Sequence, residues 1–382
     1  MNTSSQKIVK MSKENNIEVL AFYLPQYYPT KENNEWYGPG FTEWTNVGKA
    51  KPLYRGHYQP KVPADLGYYD LRVPEVRELQ ANLAKEAGVS AFCYYHYWFG
   101  NGREMLEYPL KEVVRLKSPD FPFCICWANH SWYRKTWDAS ANTLNKVPLM
   151  EQLYPGEEDV VNHFYSLLDC FKDERYYKSD GKLVFVIYHI DEMPDAKAFI
   201  EKWQELAAKE GLPPFAFYGY TDDITRTSHM AFSYCDRIIV SCKYNIDALG
   251  NSRMMRKASV FAKSWLSRLL MTPLNKWDYA KVRKKLLDER FKEESIIPVL
   301  YPNWDNTPRR DNGALILYNS TPEQFKQHCK DVFGMIRNKS NKTVFIKSWN
   351  EWGEGNYMEP DLQYGHGYLE ALTNAIGESK DE

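Results

Sequence analysis

The chain has 382 residues, of which 43% are hydrophobic and 15% aromatic, so it is long enough to bury a large core. Its 49 basic and 50 acidic residues balance, which excludes the strongly basic surface of a nucleic-acid-binding protein. The seven cysteines have no spacing typical of a disulfide framework, which indicates a reducing compartment.

Residues 1–16 are polar and lack the apolar core of a signal peptide. We predict that they form a disordered tail ahead of one domain that spans 17–382. No apolar stretch approaches the length of a membrane helix. We therefore expect a cytoplasmic protein.

Short apolar and aromatic segments alternate with helical patterns along the whole chain. Eight segments predict strands: 17–23, 89–98, 121–127, 183–188, 215–220, 237–241, 296–301 and 343–349. Helices are predicted between many of them: 74–87, 157–170, 195–209, 321–337 and 368–376. This alternation predicts an α/β fold, a (β/α)8 TIM barrel with long βα loops.

Two long segments interrupt the alternation. The first is the loop 26–69, which contains Glu43 and Trp44, and loops of this length inside a domain are usually functional. The second is a basic, amphipathic excursion near 252–294. We predict a helical hairpin packed outside the barrel; the alternative is weak contact with an anionic membrane surface.

Polar and aromatic residues lie where the predicted strands end. A barrel enzyme builds its site from these strand ends. An open doubly wound sheet would instead concentrate such residues at one crevice. No glycine-rich phosphate loop follows the first strand. We take these strand-end residues as candidates for substrate binding: Tyr23, His96, Trp98, Trp127, Asn129, His130, Tyr188, Tyr218, Trp304 and Asp305.

A pair of carboxylates, Glu351 and Glu354, follows the eighth predicted strand, in a turn with two glycines. Trp349 and Asn350 precede the pair and complete the candidate substrate-binding set. Paired acids beside aromatic rings suit the cleavage of glycosidic bonds, because one carboxyl protonates the leaving oxygen while the other acts as base or nucleophile. The residues themselves leave open which acid has which role.

Metal and cofactor chemistry has no recognisable motif. His57, His96, His130 and His189 match no ligand spacing. Cys124 and Cys126 are predicted to point to opposite faces of one strand, which would suit neither a disulfide nor zinc. We predict no metal and no cofactor.

Five motifs in order resemble the WbsX-type proteins, described as lipopolysaccharide or O-antigen biosynthesis proteins and related to the family 99 glycoside hydrolases. They begin at Gly40, Cys93, Pro119, Pro302 and Trp349, and read GFTEWTNVGKAKPLYRGHYQPKVPADLGYYDLR, CYYHYWFGNG, PDFPFCICWAN, PNWDNTPRR and WNEWGEGNYMEPD. The resemblance covers nearly the whole chain, and the excursion is the part that it does not match. One position departs from the family pattern, because His130 follows Trp-Ala-Asn where an acidic residue is frequent.

The resemblance implies an endo-α-mannosidase-like barrel and retaining, substrate-assisted chemistry. Glu351 would act as base on the sugar's own 2-hydroxyl, and Glu354 as acid at the leaving oxygen. A 1,2-anhydro sugar would form and be opened by water, an exception to the usual covalent carboxylate route. The expected partner is an oligosaccharide or polysaccharide.

Two other functions stay open. The chain could be a glycosyltransferase or accessory protein in the assembly of a surface glycan, as the family description implies. A sugar-nucleotide transferase would need a diphosphate cradle or a DxD-type metal site, and Asp222-Asp223 lacks that spacing. The other alternative is a binding protein that has lost catalysis, which the presence of both glutamates disfavours.

Overall fold

The computed structural model describes residues 17–138, 143–246 and 275–379. Eight parallel strands form a closed barrel, in which each strand pairs with the next and the eighth pairs with the first. This confirms the predicted (β/α)8 fold. The strands are β1 (Glu18–Tyr23), β2 (Ala91–Trp98), β3 (Phe123–Trp127), β4 (Lys182–Ile187), β5 (Phe215–Thr221), β6 (Arg237–Val240), β7 (Ile296–Leu300) and β8 (Thr343–Ile346).

Helices surround the barrel at the predicted places. Pro74 begins α3, and Asp195 caps α7 by accepting a hydrogen bond from the amide of Ala198. The helices are α1 (Lys31–Tyr37), α2 (Glu43–Lys49), α3 (Pro74–Glu86), α4 (Tyr108–Leu116), α5 (Glu157–Ser166), α6 (Leu168–Phe171), α7 (Ala196–Lys209), α8 (Tyr279–Arg283), α9 (Thr307–Arg310), α10 (Pro322–Ile336) and α11 (Gly367–Glu378).

Two layers of aromatic side chains hold the barrel and its helices together. Inside the barrel, the ring of Phe22 lies 5.3 Å from that of Tyr95 and 5.1 Å from that of Phe345. Outside, Trp203 of α7 is fully buried and lies 4.6 Å from Phe185 of β4. Burying a large aromatic ring contributes roughly 1.5–3 kcal/mol, so these layers account for much of the fold's stability.

The long loop after β1 is ordered by helix caps. Thr30 accepts a hydrogen bond from the amide of Asn33 and begins α1, and Thr42 begins α2 with a capping box that includes Thr45. The first residue of α2 is Glu43, whose side chain is only 4% exposed. The predicted long loop is therefore a built structure that carries a buried carboxylate.

The excursion near 252–294 divides into two parts. Residues 252–274 lie outside the described residues. The second part joins the core: the strand Asn275–Asp278 pairs in parallel with Leu315–Tyr318, and Tyr279, Leu286 and Phe291 are fully buried. The predicted helical hairpin is therefore wrong for 275–294, which forms a strand, the short helix α8 and a 3-10 turn instead.

The tail 1–16 also lies outside the described residues. Among the described helices, none is long and apolar enough to cross a membrane. The cysteine prediction was wrong: residues two apart on a strand share a face, and Cys124 and Cys126 both lie beside Cys93, fully buried.

Further short elements complete the described chain. The remaining strands are Glu104–Met105, Trp132–Asp138, Thr143–Met150, Lys178–Ser179, Asn350–Glu351 and Asn356–Tyr357. The 3-10 turns are Ile190–Glu192, Ile224–Ser228, Met230–Tyr234, Glu289–Lys292, Asp311–Gly313 and Trp352–Glu354.

Candidate active site

The two predicted catalytic glutamates lie in one tight turn at the C-terminal end of the barrel. After β8, Asn350–Glu351 pairs in antiparallel fashion with Asn356–Tyr357, and a 3-10 turn, Trp352–Glu354, joins them. Gly355 has a φ of +54°, a left-handed conformation that favours glycine. The turn thus presents Glu351 and Glu354 from the same short hairpin.

A single guanidinium, that of Arg309, contacts three carboxylates. Its Nε donates to Glu43 Oε2 at 2.9 Å, its Nη2 lies 3.3 Å from Glu351 Oε2, and its Nη1 lies 3.0 Å from Glu354 Oε1. The three acids come from α2 and the turn after β8, and the arginine comes from α9 after β7. The side chain of Arg309 is 28% exposed, so this cluster opens to solvent.

Asp305 fixes the loop that carries Arg309. Its carboxylate accepts hydrogen bonds from Gln59 Nε2 at 2.7 Å and from the hydroxyl of Thr307 at 2.6 Å, and His57 Nε2 lies 2.7 Å away. Its backbone amide donates to the carbonyl of Glu354 at 2.9 Å. Burial favours the neutral acid, but His57 and the other donors outweigh it and hold the pKa of Asp305 below its usual value.

Glu351 is the more desolvated acid of the pair. Its side chain is 9% exposed, whereas that of Glu354 is 23% exposed. Burial, and then the negative charge of Glu354, raise the pKa of Glu351 to about 7, against the opposing charges of Arg309 and Lys347. A carboxyl with this pKa exchanges protons near neutral pH, as acid–base catalysis requires.

A buried lysine also faces the barrel mouth. Lys347 donates to the hydroxyl oxygens of Tyr188 and Tyr220, the latter at 3.2 Å. The carboxylate of Asp222 accepts from Tyr220 at 2.6 Å and from Ser241 at 2.7 Å. Burial disfavours the ammonium form, but the charge of Asp222 outweighs it and raises the pKa of Lys347. The lysine therefore stays charged beside the glutamates.

Other predicted residues surround this mouth. Burial, and then the charge of His189, lower the pKa of His130 to about 4, so its imidazole is neutral. Asn129 does not point freely at a ligand: its amide bonds the backbone of His189 in both directions, at 2.8 and 2.9 Å. Trp304 is buried, and its indole Nε1 has no hydrogen-bond partner among the described residues.

A second group supports the turn from below. The Asn350 side chain accepts from the amide of Leu24 at 2.7 Å and donates to its carbonyl at 3.0 Å, which ties the turn to β1. Trp44 packs against Trp352 at 5.5 Å, and its indole donates to the Tyr69 carbonyl at 2.7 Å. Asn350 and Trp44 therefore hold the turn in place through contacts with its neighbours.

Six predicted residues are not brought together with the glutamates. Their strands are buried on both faces, and five of these side chains point outward towards the helices. Tyr23 donates a hydrogen bond to Gln80 at 2.7 Å, His96 lies 2.9 Å from His163, and Trp98 donates to Asp159 at 3.0 Å. Trp127 stacks on Phe199 and lines a groove of about 530 Å³ between α5 and α7. Trp349 is buried against Phe92. Tyr218 instead shares the inward face of β5 with Tyr220, but it bonds Ser179 beside the start of β4, away from the mouth.

Sequence reasoning missed several residues of the mouth: Arg309, Lys347, Tyr220, Asp222 and Tyr97. One signal was available, because Lys347 is a charge inside an otherwise apolar strand run, and a buried charge needs partners. Among the described residues, no group of three or more His, Cys, Asp or Glu side chains is arranged to hold a metal ion.

The closed barrel has the fold of solved glycoside-hydrolase-like proteins. One such protein superposes with a TM-score of 0.61 at 15% identity, covering 95% of this chain and 94% of that one. The GH99 endo-alpha-mannosidase from Bacteroides thetaiotaomicron superposes with a TM-score of 0.53 at 14% identity, covering 95% of this chain and 98% of that one. At these identities the likeness shows the fold alone.

The family model described as glycosyltransferase WbsX matches residues 19–372, so the chain belongs to the WbsX family, which confirms the resemblance found in its motifs. The WxcX proteins of two Xanthomonas campestris pv. campestris strains, B100 and ATCC 33913, are 30% identical over 368 and 366 residues, or 95% of this chain. The chain spans half the length of these relatives. By family and fold it is like the carbohydrate-active enzymes.

Proposed function

We propose that the chain is a retaining glycoside hydrolase that cleaves an oligosaccharide or polysaccharide with a mannose-like sugar at the cleaved bond. One observation carries the proposal: Glu351 and Glu354 share one turn at the barrel mouth and one guanidinium, that of Arg309. The side chains of Arg309 and Glu354 are partly exposed, so the cluster can be reached from solvent on that side. The family 99 resemblance supports the type of sugar.

The proposed cleavage has two steps, in which the two glutamates exchange protons with the substrate and then with water. Glu351 takes the proton of the sugar's 2-hydroxyl, and that oxygen attacks the anomeric carbon while the bond to the leaving oxygen breaks. Glu354 gives its proton to the leaving oxygen. Water then opens the 1,2-anhydro sugar: Glu354 takes a proton from water, and Glu351 returns one to the 2-oxygen. A pKa of about 7 makes Glu351 a stronger base than an ordinary carboxylate.

Substitution of each glutamate by glutamine separates the two roles. Glu354→Gln removes the proton donor, so it should slow cleavage of oligosaccharides by about a hundred- to ten-thousandfold while sparing aryl glycosides with good leaving groups. Glu351→Gln removes the base and should slow both kinds of substrate. Steady-state kinetics on matched α-mannoside pairs measures this difference. Glu104→Gln is the control, because that half-buried carboxylate pairs with Lys111 outside the turn.

The pH profile provides a second check on the pair. The reactive form carries one proton between the two acids, and the proton lost at a pKa of about 7 is the last of the pair, because the negative charge of Glu354 contributes to that value. kcat/KM should therefore fall as the pH rises through about 7 in the wild type, and this limb should be absent in Glu351→Gln. A value of kcat/KM that keeps rising above about pH 7 would contradict a proton held by this pair. Full activity in both glutamine variants would show that this pair is not catalytic.

A glycosyltransferase is the second candidate function, and the description of the matching family model favours it. Buried carboxylates and cations at one mouth would serve transfer to a sugar hydroxyl as well as transfer to water. Incubation with a panel of sugar nucleotides separates the two functions. Donor consumption with no cleavage of any glycan would replace the hydrolase proposal by the transferase.

A further inference from the structure

A third carboxylate of the WNEWGEGNYMEPD motif, Glu359, lies directly beneath the turn and takes no part in the steps above. It is 1% exposed. Its Oε2 accepts from Trp352 Nε1 at 2.5 Å and from the Tyr69 hydroxyl at 3.0 Å, and its Oε1 accepts from Gln80 Nε2 at 2.6 Å. Three donors thus converge on one buried carboxylate.

The position of Trp352 gives this contact its significance. Trp352 lies in sequence between Glu351 and Glu354, and its amide donates to the hydroxyl oxygen of Tyr27 at 3.2 Å. Its ring stacks on Tyr357 with centroids 3.8 Å apart. Stacking holds the plane of an indole but leaves it free to slide within that plane. The hydrogen bond to Glu359 fixes that remaining freedom.

The network also connects the turn to α3, which packs on the barrel. Gln80 belongs to α3 and is fully buried. Its side-chain oxygen accepts from the Tyr23 hydroxyl at 2.7 Å, while its Nε2 donates to Glu359. The path Tyr23–Gln80–Glu359–Trp352 therefore runs from the end of β1 to the residue between the two acids. Each link is a hydrogen bond of 2.5–2.7 Å between buried side chains.

We propose that Glu359 is a positioning residue: by holding the Trp352 indole against α3, it sets the separation and direction of Glu351 and Glu354. This inference rests on the proposed function, because it concerns the same pair of acids. Glu359 itself is buried, and both of its carboxylate oxygens are bonded to protein donors, so it acts through Trp352 and not on the substrate. Small displacements of reacting groups cost large factors in rate.

Glu359→Gln is the direct test. The amide keeps the shape of the carboxylate, but its NH2 group faces at least one of the three donors that now bond Glu359. We expect kcat to fall about ten- to a hundredfold with KM nearly unchanged. Asp173→Asn is the matched control: that carboxylate is also buried and multiply bonded, to Arg175 and Lys117, but lies near the N-terminal ends of the strands. It should leave kcat unchanged.

A readout independent of activity separates this inference from the proposed function. With 5-fluorotryptophan incorporated, the Trp352 resonance is assigned by its loss in Trp352→Phe. In Glu359→Gln that resonance should shift or broaden, while in Asp173→Asn it should not move. If Glu359→Gln does not fold, Gln80→Met removes one link and gives the same comparison.

The outcomes are distinct. An unmoved Trp352 resonance, or an unchanged kcat in Glu359→Gln where the wild type is active, overturns the positioning role. The role is supported if the double variant Trp352→Phe/Glu359→Gln loses less kcat than the product of the losses in the two single variants. If the wild type cleaves no glycan and the resonance still shifts, the hydrolase proposal has failed while Glu359 still positions the turn.

Discussion

Arg309 places one positive charge among three carboxylates, and the residue type determines what this achieves. A guanidinium is planar and offers donors in a fixed fork, so its Nε can bond Glu43 while its two terminal nitrogens face Glu351 and Glu354. Lysine would supply the charge from a single point. The arginine therefore holds two acids apart as well as lowering the pKa of Glu351.

Arg309→Lys should lower kcat about tenfold or more, because the charge remains while the spacing of the two acids is lost. Arg309→Met removes the charge as well. Since that charge lowers the pKa of Glu351, its loss should move the falling limb of kcat/KM to a higher pH than in the wild type. Pairwise pH–rate profiles measure both effects. Arg310→Met, at the exposed neighbouring residue, is the control.

An unmoved limb in Arg309→Met, with Arg310→Met also at the wild-type value, would contradict the electrostatic part of this account. The rate loss in Arg309→Lys would then reflect packing of α9 alone. The two variants thus divide charge from geometry.

The candidate residues show why sequence identified the place of the site better than its members. The two glutamates, Asp305 and Tyr188 were expected at the mouth and lie there, but side chains such as Tyr23 and Trp127 face the helices. Strands of a parallel barrel are buried on both faces and read as continuous apolar runs. Such a run predicts a strand, but it has no alternation of apolar and polar residues. It therefore does not show which side chains point into the barrel.

At the scale of elements, the turn after β8 depends on two glycines. A Cβ on Gly353 would lie 1.9 Å from Glu43 Oε2 and 2.9 Å from Arg309 Nε. A Cβ on Gly355 would lie 2.5 Å from the carbonyl oxygen of Asp305. The absence of these side chains lets α2, α9 and the turn meet, so the motif encodes a close approach of three elements.

Gly353→Ala should therefore displace the carboxylate of Glu43 and the guanidinium, with a loss of activity of about a hundredfold or more. The overpacking should also destabilise the fold by about 1–3 kcal/mol. Kinetics together with urea denaturation measures both. Gly334→Ala is the matched control: Gly334 lies within α10 with nothing within 4 Å of the added Cβ. That change should be neutral or stabilise by about 0.5–1 kcal/mol. Equal effects of the two substitutions would contradict the close-approach account.

Elements with a strong local signal were predicted well, and those defined by distant contacts were not. All eight barrel strands and the five predicted helices occur within a few residues of their expected bounds. The segment 275–294 was misjudged because its buried residues, among them Tyr279 and Phe291, are separated by charges with no helical period. They are buried by neighbours such as α10 and the strand Leu315–Tyr318, which local sequence does not reveal.

At the scale of the whole molecule, acid sensitivity depends on buried histidines that are held neutral outside the mouth. Burial lowers the pKa of His96 and of His328 to about 3, and that of His163 also falls well below its usual value. Their folded pKa values are depressed, so the stability they confer is present above about pH 6.5 and is lost as the pH falls. Glu351 and Glu359 act oppositely: their raised pKa values, both about 7, mean that stability is lost as pH rises from about 4.5 to 7.

His328→Gln isolates one histidine, because the glutamate contributions are common to the variant and the wild type and cancel in the difference. Each histidine that stays neutral when folded and protonates when unfolded gives a slope of about 1.4 kcal/mol per pH unit below about pH 6.5. The wild type should therefore lose about 2 kcal/mol more than His328→Gln between about pH 6 and 4.5, as measured by urea denaturation at several pH values. His229→Gln, at an exposed position, should follow the wild type. If the free energies of unfolding of the wild type and His328→Gln change in parallel with pH, the folded protein accommodates the imidazolium of His328. The loss of stability in acid would then have to arise from carboxylates with depressed pKa values, such as Asp305 and Asp222.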